Sequence, residues 1–295
     1  MNPRIAETVF RWLSRLPPGW LDALARPLGW LLSLAGRRRR VTLRNIAACY
    51  PQLSSLERKR LMKSSCYEFS RTVLETAWIW SWPLDKLMAR IESATGLDHL
   101  EAARDSGRGI IFAAPHLGAW EIDGLYLQTV SDMAILFKSP KDPSYEPLLI
   151  EKRAKGGAKV LPVIGQGIRQ AIRHVRAGGA VGILPDQQPT EGDGVFAPFF
   201  GVPTWTGTFL PKLARRTGAV VLFSFCERLP GAARYKVHFL PAEEAIYSAD
   251  EVESVCAMNR GVEACIEINR PQWLWAYKRF RIRPPGDAPF YSSSA

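Results

Sequence analysis

His116 and Glu121 stand five residues apart, where a β-type run, GIIFAAP (109–115), passes into a helical pattern that continues to Val130. Side chains at that spacing lie about 140° apart around a regular helix. They can meet only if His116 occupies the turn and Glu121 the first helical turn, with Gly118 allowing the bend. In that arrangement a carboxylate accepts from one imidazole nitrogen, fixes the tautomer and raises the basicity of the other, which makes a general base. A histidine satisfied for structural reasons alone would show the same two residues, and the spacing leaves both readings open.

The motifs that are missing narrow the chemistry. The chain has no G-x-S-x-G elbow, no G-x-x-x-x-G-K-[ST] phosphate loop, no H-E-x-x-H and no G-x-G-x-x-G. With a base and no evident protein nucleophile, a substrate hydroxyl can supply the nucleophile. Direct acyl transfer needs a base for that hydroxyl, a cation or backbone donors for the oxyanion, and a leaving group such as a thiol. His99, His174 and His238 have no carboxylate at comparable spacing and read as structural.

Around these residues the periodicity changes once. Residues 42–91 read as helices, with Ser54 and Ser55 able to cap LERKRLMKSSCYEFSRTVLETAWIW, a stretch that ends at Trp82-Pro83. After Gly107 come short β-type runs at 109–115, 133–137, 159–163, 180–185, 219–225 and 236–240. Helical segments at 119–130, 145–155, 166–177 and 207–217 lie between many of them. Strands alternating with helices predict an α/β fold, a sheet flanked by helices, with ligands at the carboxyl edge of the strands. The expected division is an N-terminal segment at 1–40 and a catalytic domain at 41–295, helical over 42–91 and α/β over about 95–285.

Charge and hydropathy place the chain against a membrane. Of the formal +11, residues 1–71 carry net +10 and residues 270–295 net +4, leaving the body at −3. A nucleic-acid enzyme would line its central groove with Lys and Arg, so no nucleic-acid partner is expected. Basic ends suit anionic phospholipid. Segment 9–36 is rich in Leu and Trp but is interrupted by Arg11, Arg15, Asp22 and Arg26, and Arg37–Arg40 follow it. It reads as an amphipathic or half-inserted anchor whose arginines stay on the cytoplasmic side, with a single span as the alternative. Five scattered cysteines without CxxC or metal-ligand spacing fit a reducing compartment.

His116–Glu121 resembles the H-x4-[DE] motif of the glycerolipid and lysophospholipid acyltransferases. RNIAACYPQLSSLERKRLMKSS, GGAVGILPDQQP, FAPFFGVPTWTGTFLPKLARRTGA and RPQWLWAYKRFRIRPPG, in that order, resemble blocks of one branch, the lipid A biosynthesis (lauroyl/myristoyl) late acyltransferases. The resemblance spans about residues 10–285. Ala119 stands where family members often carry Asn, which puts a hydrogen bond near the base in question. The resemblance implies an acyl-carrier-protein donor, a Kdo-bearing lipid A precursor as acceptor, no cofactor, no metal, and a site on the cytoplasmic face of the inner membrane. His116 is then the base and Glu121 its orienting partner. Arg153, which matches a family arginine, stabilises the thioester oxyanion or an acceptor phosphate.

Further assignments follow on that reading. Asp186 and Gln187 end the run AVGILP, face the same sheet edge as His116 and position the acceptor. Phe199, Phe200, Gly201, Val202 and Pro203 shape the acyl-pocket wall, with Trp120, Leu125 and Leu127 as further wall candidates. Lys138, Lys141, Lys152, Arg153 and Lys155 are candidates for docking the acidic carrier. Two other readings share these features: an acyltransferase of the same fold with another lipid acceptor, and a membrane lipid-binding protein without turnover.

Overall fold

The computed structural model describes residues 3–34, 36–137, 139–140, 142–189 and 192–291. Helices α1 (Pro3–Leu13), α2 (Pro18–Leu34), α3 (Gly36–Cys49), α4 (Ser55–Ser81) and the short α5 (Leu84–Met88) precede β1 (Ile91–Thr95) and α6 (Leu97–Asp105). An alternating stretch follows: β2 (Ile110–Ala113), α7 (Trp120–Val130), β3 (Met133–Phe137), α8 (Glu146–Arg153), β4 (Lys159–Pro162), α9 (Gly165–Arg176) and β5 (Ala180–Ile183). The chain then makes a hairpin, β6 (Gly194–Phe199) and β7 (Val202–Gly207), and continues through α10 (Phe209–Thr217), β8 (Val220–Arg228), β9 (Tyr235–Pro241) and α11 (Glu251–Ile268).

Seven strands form one sheet in the order β1-β9-β8-β2-β5-β3-β4. All neighbours are parallel except β8 and β9. All four residues of β2 are buried, as a central parallel strand with both faces covered requires. Ile110 and Phe112 pack in one core with Leu100 of α6 and Ile122 and Leu125 of α7. Ile111 and Ala113 pack in the other, with Leu213 of α10 and Val262 of α11. The mixed α/β architecture is as the periodicity predicts.

Several elements differ from the sequence reading. The expected helical region ends earlier, because Ile91–Thr95 pairs with β9 as an edge strand. The β6–β7 hairpin is a further addition. Pro198 and Pro203, which argue against strands, sit opposite one another in it. Helix α11, a further element beyond the predicted alternation, buries Val255, Met258, Val262 and Ile266 on the sheet.

Helix α4 begins where the cap was expected. The Ser54 hydroxyl accepts from the Glu57 N–H at 3.3 Å, and the Ser54 N–H donates to Glu57 at 2.7 Å, a capping box. The helix stops at Trp82, ahead of Pro83. Helix α2 lies along α4 and buries Leu21 and Ala25. Asp22, costly in a spanning segment, faces Arg71 of α4 at 3.1 Å and accepts from the Tyr67 hydroxyl at 2.9 Å. Arg71 also pairs with Glu68, and Arg228 of β8 pairs with Glu75 at 2.7 Å. These ion pairs join α2, α4 and the sheet. Among the described residues no helix is long and apolar enough to cross a membrane.

Candidate active site

The site is built by two adjacent parallel strands in register. Ala113 of β2 lies opposite Ile183 of β5, and each strand then runs through one residue and a proline: Ala114-Pro115-His116 and Leu184-Pro185-Asp186. His116 and Asp186 are therefore delivered side by side at the carboxyl edge, where such folds place their ligands.

Asp186 is buried, and both its oxygens are occupied. Oδ1 lies 2.8 Å from His116 Nδ1, while Oδ2 accepts the His116 backbone N–H at 2.9 Å and the Trp273 indole N–H at 2.9 Å. Burial alone would raise the carboxyl, but the His116 ring and these donors together hold it below its ordinary value. An ionised carboxylate only accepts, so Nδ1 carries the proton and Nε2 presents its lone pair. The Gln187 side-chain amide donates to that Nε2 at 3.1 Å. The Trp120 ring packs edge-on against the imidazole at 5.4 Å.

The partner of His116 is thus Asp186 and not the sequence-adjacent Glu121. Glu121, in the first turn of α7, pairs with Arg153 of α8, whose Nη2 and Nε donate at 2.8 and 3.4 Å. The Glu121 charge raises the Arg153 guanidinium above its usual value. The backbone explains the change of partner. Gly118 has φ +60°, and a Cβ there would collide with the Cys226 carbonyl. The turn 116–119 is pinned to β8 by the Ala119 N–H donating to Cys226 O at 2.7 Å. It is pinned to the segment after α11 by the Leu274 N–H donating to His116 O at 3.1 Å. That path turns His116 toward β5 and Glu121 toward α8. Ala119 begins α7 without a side-chain cap.

His116, Trp120, Glu121, Arg153 and Gln187 surround the opening of a cavity of about 300 Å³. It runs between α7 and the sheet, lined by Leu125 and Leu127 of α7, Met133 and Ile135 of β3, and Gly182 and Ile183 of β5. Its deep end is closed by Gln128, which donates to Arg153 O at 2.8 Å and accepts from the Gly156 and Ala158 N–H groups at 3.0 and 3.1 Å. Trp120, Leu125 and Leu127, the expected acyl-wall candidates on α7, all line this cavity.

Phe200, Gly201 and Pro203 do not line this cavity. Phe200 and Gly201, at φ 48° and 75°, form the tight turn of the β6–β7 hairpin. The Phe200 N–H donates to Glu263 of α11 at 2.7 Å, and its ring lies 5.2 Å from Tyr50. Gly201 serves the turn and not a close ligand approach. The twofold need for positive φ in a two-residue hairpin overrides the wall assignment.

The expected carrier-docking cations are also redistributed. Lys155 donates to the Ile79 and Trp82 carbonyls, closing the end of α4, and burial lowers its ammonium to about 8. Lys152 pairs with Glu7 and Glu151, and Arg153 with Glu121. Lys138 and Lys141 lie outside the described residues. His238 does have a carboxylate, Glu227 at 2.8 Å across the β8–β9 pair. Glu227 is itself held by Asn269, and the Thr95 hydroxyl lies 2.9 Å from the other ring nitrogen.

Trp273 and Gln128 escaped the sequence reading. The recurring x-Pro-His and x-Pro-Asp after two β-type runs was the available signal for the His116–Asp186 pair. What it lacked was the strand order, because β3 and β4 separate the two runs in the chain.

Residues 5–282 match the family model described as bacterial lipid A biosynthesis acyltransferase. The chain is 28% identical over 281 residues to the lipid A biosynthesis lauroyltransferase of Escherichia coli K12, covering 93% of this chain and 90% of that protein. It is 27% identical over 274 residues to the palmitoleoyltransferase of the same organism, covering 92% and 86%. To the myristoyltransferase it is 26% identical over 278 residues, covering 92% and 84%.

Proposed function

The chain belongs to the bacterial lipid A biosynthesis acyltransferase family, and from that premise we propose that it moves a fatty acyl group from acyl carrier protein to a hydroxyl of a Kdo-bearing lipid A precursor. The observation that carries the reading is the His116 imidazole, backed by Asp186, at the mouth of a deep apolar pocket. A hydroxyl that displaces the Gln187 amide from Nε2 gives its proton to that nitrogen as its oxygen attacks the thioester carbonyl. Collapse of the tetrahedral oxyanion breaks the C–S bond, and the imidazolium returns the proton to the thiolate. No covalent acyl-enzyme is formed. Asp186 keeps the tautomer and stabilises the transient imidazolium.

Arg153 faces the developing oxyanion or an acceptor phosphate in this scheme. Glu121 acts through it, holding the guanidinium by Nε and Nη2. Glu121 is accordingly a positioning residue. Its earlier assignment as the partner of the base passes to Asp186.

The location reading draws on the N-terminal helices. Trp12, Trp20 and Trp30 are each more than 60% exposed, beside Leu24, Leu31 and Leu34. Arg37–Arg40 follow in α3. Arg38 lies over the Phe69 ring at 3.9 Å and borders a narrow cleft shared with Trp120 and Trp273. Exposed aromatics beside arginines suit interfacial docking on an anionic leaflet, at the cytoplasmic face of the inner membrane, with the acceptor's phosphates approaching past α3.

Mass spectrometry of lipid A from cells with and without the gene tests the reading. Loss of one secondary acyl chain is expected. Unchanged lipid A with a missing acyl chain on another lipid class would move the enzyme to a different acceptor.

A further inference from the structure

We propose that Met133, lying across Gly182 at the deep end of the pocket, is the stop that sets the longest acyl chain the protein accepts. The inference rests on the acyl-transfer reading for the identity of the ligand, and on pocket geometry for the residue.

Helix α7 runs back along the sheet from the edge that carries His116. Trp120 and Glu121 stand at the opening, and Leu127 and Gln128 stand about 10 Å further in, at 1.5 Å of rise per residue. Met133 is the first residue of β3 and is paired with Ala180, three positions below the strand end at Ile183. It is 3% exposed and still lines the cavity, so it closes the pocket from the sheet side as Leu127 closes it from the helix side. Gln128 locks the far end of α7 to the 156–158 backbone, so the floor cannot swing away with the helix.

Gly182 is what lets the methionine lie there. A Cβ added at Gly182 would stand 3.3 Å from the Met133 methyl carbon. The thioether arm therefore lies directly against the space a Cβ on β5 would take, and would have to give by a few tenths of an ångström to admit one. Methionine is a flexible, unbranched gap filler, and its removal would extend the pocket in line with an entering chain. An added methyl at Gly182, which lines the pocket, would instead narrow it beside the arm.

The test uses the full-length protein and a fluorescent fatty acid displaced by saturated fatty acids of ten, twelve, fourteen and sixteen carbons. For the unaltered protein, affinity should rise about tenfold for every two methylenes that find apolar surface, then level off where the chain meets Met133. Met133→Ala should move the levelling point at least two carbons longer. Gly182→Ala, which removes no packing, should move it shorter. Carrier-protein thioesters of twelve, fourteen and sixteen carbons should give transfer ratios shifted in the same order. A levelling point at the same length in all three proteins, or none at any length, overturns the assignment. Levelling points that move as stated, with no acyl transfer to lipid A by any of the proteins, would support the stop and reject the acyl-transfer reading.

Discussion

At the scale of single residues, the roles of the two carboxylates separate by environment. Asp186 is buried against the imidazole, whereas Glu121 is partly exposed and paired with Arg153. His116→Ala should lower acyl transfer by roughly 10²–10⁴-fold while leaving the circular dichroism spectrum unchanged. Asp186→Asn should also move the acid limb of the pH–rate profile, because it changes the base itself. Glu121→Gln should lower kcat without moving that limb; a displaced limb would restore Glu121 as the partner of the base. A third carboxyl carries a stability prediction. Asp123 of α7 is fully buried, its Oδ2 accepts from Ser224 at 2.9 Å and its Oδ1 is unpaired, and burial raises it to about 7. Its folded value lies above its unfolded value, so its contribution is full below about pH 4 and is lost as pH rises toward about 7. Asp123→Asn should remove that slope. The expected gain in stability at pH 8 is of order a few kcal/mol, with little at pH 4, read from urea melts at both.

At the scale of elements, the N-terminal helices are part of the fold. Leu21 lies in the core with Trp78 and Tyr235, and Asp22 is the counter-ion of Arg71. Arg71→Leu would leave Asp22 without its cation, while Glu68 keeps Arg228 at 3.8 Å. Breaking a buried pair in this way costs about 3–5 kcal/mol. The loss should fall first on α2, as faster amide hydrogen exchange between residues 18 and 34, while β2 and β5 keep their protection. Uniform exchange across both regions would show that α2 has no separate stability. The same packing argues against removing residues 1–36 to test membrane attachment, since that truncation strips a core face and an ion pair together.

At the scale of the whole molecule, charge sits apart from chemistry. The basic excess lies in residues 1–71 and 270–295, while the residues between carry net −3. Arg37–Arg40→Glu should reduce binding to anionic vesicles, most visibly at low salt, because exposed charges are screened within about 10 Å at 0.1 M. Trp12, Trp20 and Trp30→Ala should reduce binding at all salt concentrations by removing interfacial aromatics. Co-sedimentation with neutral and anionic vesicles separates the two. Equal, salt-insensitive binding to both would reject the electrostatic part and leave the aromatic part standing.

Local rules were enough for much of the architecture. The Ser54 cap, the stop at Pro83, the alternation after Gly107 and the placement of His116 and Asp186 at strand ends all depend on residues close in sequence, and they were legible there. The His116–Asp186 pairing depends on β2 and β5 being neighbours although β3 and β4 intervene, and hydrogen bonding between distant strands decides that. Glu121 was nearer in the chain but is turned away by the Gly118 backbone and taken by Arg153. The strand at 91–95 likewise exists because a distant partner completes it, whereas the hairpin at Phe200-Gly201 is local in its pairing and takes only its Glu263 contact from afar. Sequence proximity determines which groups reach the edge of the sheet; only the tertiary pairing of strands, which satisfies backbone groups a local segment cannot satisfy for itself, decides which of them meet.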